Sequence, residues 1–213
     1  MPTAGDGYNS SWLTCFAHAP PDHHTNEPCS LASFAALASW YEHQRSYGFS
    51  TCAYGNLFEF GWNVTGVWPP GRADCSQPPG TTLSNHSALG CHTQRLLTER
   101  YAKALIYSAR GRAGDLVCGG LDGSCIMDPH PALPYHEHLL DMARTSIAQT
   151  PSAGVCIDRQ DWIGTVNPAA DDGQTWFPLV PGKEFAPVRA MIFSWKAAMT
   201  SFAQVWHASG KAV

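Results

Sequence analysis

Residues 153–173 read Ala-Gly-Val-Cys-Ile-Asp-Arg-Gln-Asp-Trp-Ile-Gly-Thr-Val-Asn-Pro-Ala-Ala-Asp-Asp-Gly, and their pattern decides the fold class. Three apolar residues follow Gly154 and stop at Asp158-Arg159, after which charged, aromatic and turn-forming residues take over. A buried parallel strand whose carboxyl end opens onto a site has this form. An Asp at that position is a stronger candidate for chemistry than an Asp inside a helix, because α/β folds gather reactive groups at strand ends. The structural alternative is that Asp158 pairs with Arg159 or caps the following turn.

The same form recurs upstream. Phe49–Phe60 is rich in aromatic and β-branched residues and leaves Asn56 and Glu59 near its carboxyl end, while Ser124-Cys-Ile-Met stops at Asp128-Pro129. Ser11–Ala17 is a further expected strand, giving strands near 11–17, 50–58, 124–128 and 154–158. Between them, apolar residues recur every three or four positions over 28–47, 93–108, 134–148 and 190–209, which predicts helices. Gly48 stands where a helix C′ glycine belongs, and Gly210–Val213 has the composition of one more strand. Alternating strands and helices specify parallel βαβ units. The α/β fold expected is a partial (β/α)8, TIM-like barrel with helices outside, in a single domain spanning 1–213. Residues 61–95 form a long insertion bracketed by Cys75 and Cys91. A complete barrel typically takes about 250 residues, so 213 residues are expected to be a fragment of a larger catalytic domain.

Composition narrows the partners. The net charge is −4 with 14% charged residues, and the Lys and Arg are scattered, so no basic face is offered to nucleic acid. No run approaches the roughly 18 apolar residues of a membrane span. Eight cysteines and sequons at Asn9, Asn63 and Asn85 suit a secreted, glycosylated chain. Cys75 with Cys91 and Cys118 with Cys125 bracket loops as disulfides would, whereas Cys52 and Cys156 sit in apolar runs as buried thiols do. Residues 1–7 lack a signal sequence, so a preceding segment is expected to carry it. His18, His23, His24, His136 and His138 invite a metal hypothesis. The first three share a Pro-rich loop and the last two, two positions apart, face different sides of a helix, so neither metal nor cofactor is expected.

Glu59-Phe-Gly, Ile126-Met-Asp-Pro129 and Gly154-Val-Cys-Ile-Asp158-Arg together resemble the middle of the (β/α)8 glycoside hydrolases of the α-glucosidase, α-galactosidase and α-amylase kind. The resemblance implies a hydrolase of O-glycosidic bonds with a carbohydrate substrate and with Asp158 as nucleophile. Two carboxyl groups are needed for that chemistry. Asp161 and Asp172 are the second carboxyls within this chain, the families' own general acid coming from a later strand. Arg159 and Trp162 would orient and stack the sugar, with Asp172, Glu59, Asn56 and Asp128 as further substrate contacts. Asp158-Arg-Gln-Asp-Trp162 departs from the motif of any one of these families, which leaves linkage and anomeric configuration open. The competing class is a catalytically inactive carbohydrate-binding or scaffolding domain, which keeps tryptophans such as Trp62 and Trp68 of the 61–95 insertion as a stacking surface but needs no paired carboxylates.

Overall fold

The computed structural model describes residues 31–55, 57–60, 96–108, 125–157, 165–178 and 185–213. The expected strand at 11–17, His18, His23, His24 and the insertion at 61–95 lie outside them. Helix α1 spans Leu31–Ser46 and ends at Gly48, whose φ of 85° is the left-handed conformation a C′ position requires. Strand β1 (Cys52–Gly55) follows, then the short β2 (Glu59–Phe60). After a π turn at Leu96–Arg100 and a 3-10 turn at Ala102–Ala104 come β3 (Tyr107–Ser108) and β4 (Cys125–Ile126). Helix α2 (Pro134–Gln149) leads to β5 (Gly154–Ile157), β6 (Thr165–Asn167), β7 (Thr175–Phe177), β8 (Ala186–Ala190) and helix α3 (Met191–Ala208).

These elements make a mixed α/β fold with three small sheets. β1 and β5 are parallel, with Cys52 opposite Gly154 and Gly55 opposite Ile157, and Ala212 extends the ladder by a parallel bridge to Gly154. The parallel pair and the strand-like role of the last residues match expectation. The run at 124–128 does not: β4 pairs antiparallel with β2, placing Glu59 opposite Ile126. A four-stranded antiparallel sheet, ordered β3-β6-β8-β7, takes β3 from the segment expected as a helix and β6, β7 and β8 from the residues between the expected strand at 154–158 and the expected helix at 190–209. Its strands are three to five residues long where they were missed, and β8 carries Pro187, so neither length nor alternation marked them. The helix expected over 93–108 is also corrected. Leu97, Tyr101, Ala104, Leu105 and Ile106 are all buried, so this segment crosses the core rather than lying on it with one face. Among the described residues no barrel closes.

Helices α2 and α3 follow from sequence directly. Pro134 occupies the first turn of α2, where its missing N–H costs nothing. Thr150 closes the other end, its N–H donating to the Ser146 carbonyl at 2.9 Å, and Pro151 prevents continuation. In α3, Met191, Ser194, Ala198, Phe202 and Trp206 recur at three and four positions and all are buried, which packs α3 against α2. The centre of the core is aromatic. Phe60 meets Tyr101 and Tyr135 edge-to-face at 5.3 and 5.6 Å, and His138 completes the cluster at 5.6 Å from Phe60. α2 turns both His136, only 3% exposed, and His138 inward, because its buried face is wider than the apolar residues alone define.

Candidate functional site

The described polar residues converge on Asp128. Its position is fixed from the backbone upward: Met127 N–H donates to the Phe58 carbonyl at 2.8 Å, and Asp128 N–H donates to the Ala104 carbonyl at 2.7 Å. The side chain is 1% exposed. One carboxylate oxygen accepts the His130 N–H at 3.0 Å, a turn across Pro129 of the kind Asp favours. The other accepts Asn167 Nδ2 at 2.7 Å and faces the Arg189 guanidinium at 3.5 Å.

Asn167 and Arg189 reach Asp128 together for a reason of register. β6 and β8 are antiparallel with Asn167 directly opposite Arg189, so both side chains lie on one face of the sheet. Asn167 is held further by donating to the Lys103 carbonyl at 2.8 Å and accepting the Ala169 N–H at 2.9 Å. The His130 Nδ1 accepts the Ala132 N–H at 3.1 Å, so the neutral ring carries its hydrogen on Nε2. Burial, then the Arg189 charge, pushes His130 below its ordinary value, with Asp128 acting in the opposite direction. Burial likewise lowers His136, whose Nδ1–H donates to the Pro129 carbonyl at 2.9 Å. The cluster therefore holds a neutral imidazole, whose one acceptor nitrogen is taken by the Ala132 N–H, beside a carboxylate whose two oxygens are already engaged.

Asp172 stands at the same end of β8. It accepts the Gln174 N–H at 2.9 Å, the Thr175 N–H and hydroxyl at 2.7 Å each, and the Ala190 N–H at 2.8 Å. Burial pushes its carboxyl upward, but these four bonds outweigh that and hold it below its ordinary value. The backbone of Glu59 lies in β2. Asn56, Asp158, Arg159, Asp161 and Trp162 fall outside the described residues, where the chain leaves β1 at Gly55 and β5 at Ile157. Of the expected site residues, the fold thus draws Asp128 and Asp172 toward one sheet.

Sequence reading missed His130, Asn167 and Arg189. His130 was legible in principle from Asp128-Pro-His, a polar turn closing an apolar run. Asn167 and Arg189 were not, since their meeting depends on a strand pair that sequence spacing left hidden. Among the described residues no group of three or more His, Cys, Asp or Glu side chains could hold a metal ion. Cys52 and Cys156 are free thiols, and Cys125 is a disulfide half-cystine. Cys75, Cys91 and Cys118 lie outside the described residues, so the expected bridges are left without assigned partners. No described helix is long and apolar enough to cross a membrane. No family model, no curated protein and no solved structure matches the chain. The class the structure defines is accordingly a mixed α/β one, by its own geometry.

Proposed function

We propose that the chain is a carbohydrate-active hydrolase that cleaves O-glycosidic bonds, with Asp158 as nucleophile. One observation carries this reading. β1 and β5 are parallel neighbours that end in register, Gly55 opposite Ile157, and Asn56 and Asp158 are the next residues of the sequence. The carboxyl edge of parallel strands is where α/β folds gather their chemistry. Asp158 comes directly after a four-residue strand, and a nucleophile gains from such an anchor because a misplacement of about 1 Å can cost on the order of a hundredfold in rate. Asp161 is the second carboxyl proposed, with Arg159 and Trp162 on the sugar. The (β/α)8 arrangement enters only through the parallel ladder of β1, β5 and Ala212; the proposal needs that edge and not a closed barrel.

A second reading, a non-catalytic carbohydrate-binding or scaffolding domain, is favoured by the saturation of Asp128 and Asp172, whose oxygens are all engaged within the fold. Turnover separates the two. The chain, Asp158→Asn and Asp161→Asn should be assayed against a panel of aryl glycosides. The hydrolase reading expects Asp158→Asn to lose turnover by roughly a thousandfold or more while its melting profile is unchanged, since Asn is nearly isosteric but cannot attack. Binding of sugars by calorimetry with no turnover in the unaltered chain would favour the second reading, and normal turnover in Asp158→Asn would move the nucleophile elsewhere.

A further inference from the structure

A cleft of about 370 Å³ lies at the opposite end of the parallel ladder, and its lining includes Tyr41, Arg45, Phe49, Ser152, Gly210 and Lys211. It is built where three parallel segments begin. The residues entering β1, those entering β5 and those leading to Ala212 are laced by Ala153 N–H to the Thr51 carbonyl at 2.9 Å and Ala212 N–H to the Ala153 carbonyl at 3.1 Å. We propose that this cleft binds a small organic anion, a carboxylate or phosphate ester that carries an apolar ring. The site is independent of the glycosidase reading and faces away from its edge.

Charge supports the anion. Arg45 and Lys211 both line the cleft, and among the described residues no Asp or Glu does. Lys211 Nζ donates to the Thr150 and Ser152 carbonyls at 3.1 and 2.6 Å, which leaves one of its three N–H groups for a ligand. Burial pushes that amine below its ordinary value, as befits a cation short of counter-charge. The Arg45 guanidinium forms no hydrogen bond or ion pair among the described residues. The rival explanation is that both cations merely offset helix ends, since α1, α2 and α3 all finish beside the cleft and Lys211 donates to the carbonyl of Thr150, the C-cap of α2. Three helix carboxyl termini supply about half a negative elementary charge each, against two full positive charges, so the cleft retains a positive surplus of about half a charge. The ring requirement comes from Phe49, which is 62% exposed on the lining and offers a face for stacking.

Calorimetric titration of the whole chain with phenyl phosphate, benzoate, inorganic phosphate and phenol tests the proposal. Phenyl phosphate and benzoate should bind, phenol should not, and inorganic phosphate should bind more weakly than phenyl phosphate. Arg45 is exposed and its side chain makes no hydrogen bond or ion pair among the described residues, so Arg45→Gln should keep the melting profile and weaken phenyl phosphate about tenfold. Phe49→Ala should weaken phenyl phosphate and leave inorganic phosphate unchanged. Phenol binding as well as phenyl phosphate, no effect of Arg45→Gln, or no binding of either ring-bearing anion at millimolar concentration would each overturn the assignment.

Discussion

Asp128 is buried, paired and hydrogen-bonded at once, and its removal separates structural from chemical roles. Asp128→Ala strands the Arg189 guanidinium, itself only 13% exposed, and takes a partner from Asn167. Breaking a buried pair typically costs 3–5 kcal/mol; the 3.5 Å separation puts this case at the low end, about 3 kcal/mol, read as a lower urea midpoint at unchanged slope. His138 makes a pH prediction. Burial, with the Arg100 charge assisting, drops it from an ordinary 6.5 to about 4, so the folded chain keeps the ring neutral where the unfolded chain protonates it. Its contribution is complete above about pH 6.5 and is lost as pH falls toward about 4. His130 and His136 shift the same way, so His138→Phe should flatten only part of the acid limb of a stability-versus-pH curve. Asp172 titrates lower still. Its contribution is present above its unfolded value near 3.8 and is lost as pH falls below that, so Asp172→Asn should be less stable at neutral pH, and its deficit relative to the unaltered chain should shrink as pH falls through that window.

At the scale of elements, Gly154 links β5 to the last residues of the chain. A Cβ there would run into the Ala212 carbonyl oxygen and meet its carbon at 2.8 Å, both backbone atoms that cannot swing aside. Gly154→Ala should therefore cost about 1–3 kcal/mol and open the Ala212 bridge. Amide exchange would register it at Val155, whose N–H donates to the Ala212 carbonyl at 3.0 Å. The sequence placed α1, α2, α3 and the parallel β1–β5 pair correctly, because each rests on a local apolar recurrence or an unbroken apolar run. It misplaced the rest for physical reasons. Leu96, Leu97, Tyr101 and Leu105 fall at spacings a helix could use, yet the chain there breaks into a π turn and a 3-10 turn and passes through the core. β6, β7 and β8 are too short to show alternation, and the partners that stabilise them are distant in sequence. The candidate site was legible at Asp128 and Asp172 only, since a cluster assembled by cross-strand register has no signature along the chain.

For the whole molecule, the seam between α2 and α3 closes the core. Trp206 is fully buried and packs on Phe202 at 6.3 Å, so Trp206→Ala should lower stability by about 4 kcal/mol in a denaturant titration. Trp206→Phe should cost much less, because the indole N–H has no hydrogen-bond partner among the described residues and its removal relieves an unsatisfied donor. The parallel ladder bears on time as well as on energy. About a hundred residues of chain separate Cys52 from Gly154, so closing β1 onto β5 carries a large entropic cost of loop closure before any strand contact repays it. α2 and α3, by contrast, form from neighbours three and four positions away. In a refolding experiment with pulsed deuterium labelling, amides of Leu139–Ala143 and Ala198–Phe202 should become protected first, and those of Ala53 and Val155 last. The sheet edge on which the proposed chemistry depends is then the final part of the molecule to exist, and a chain trapped before that step would be helical, compact and inert.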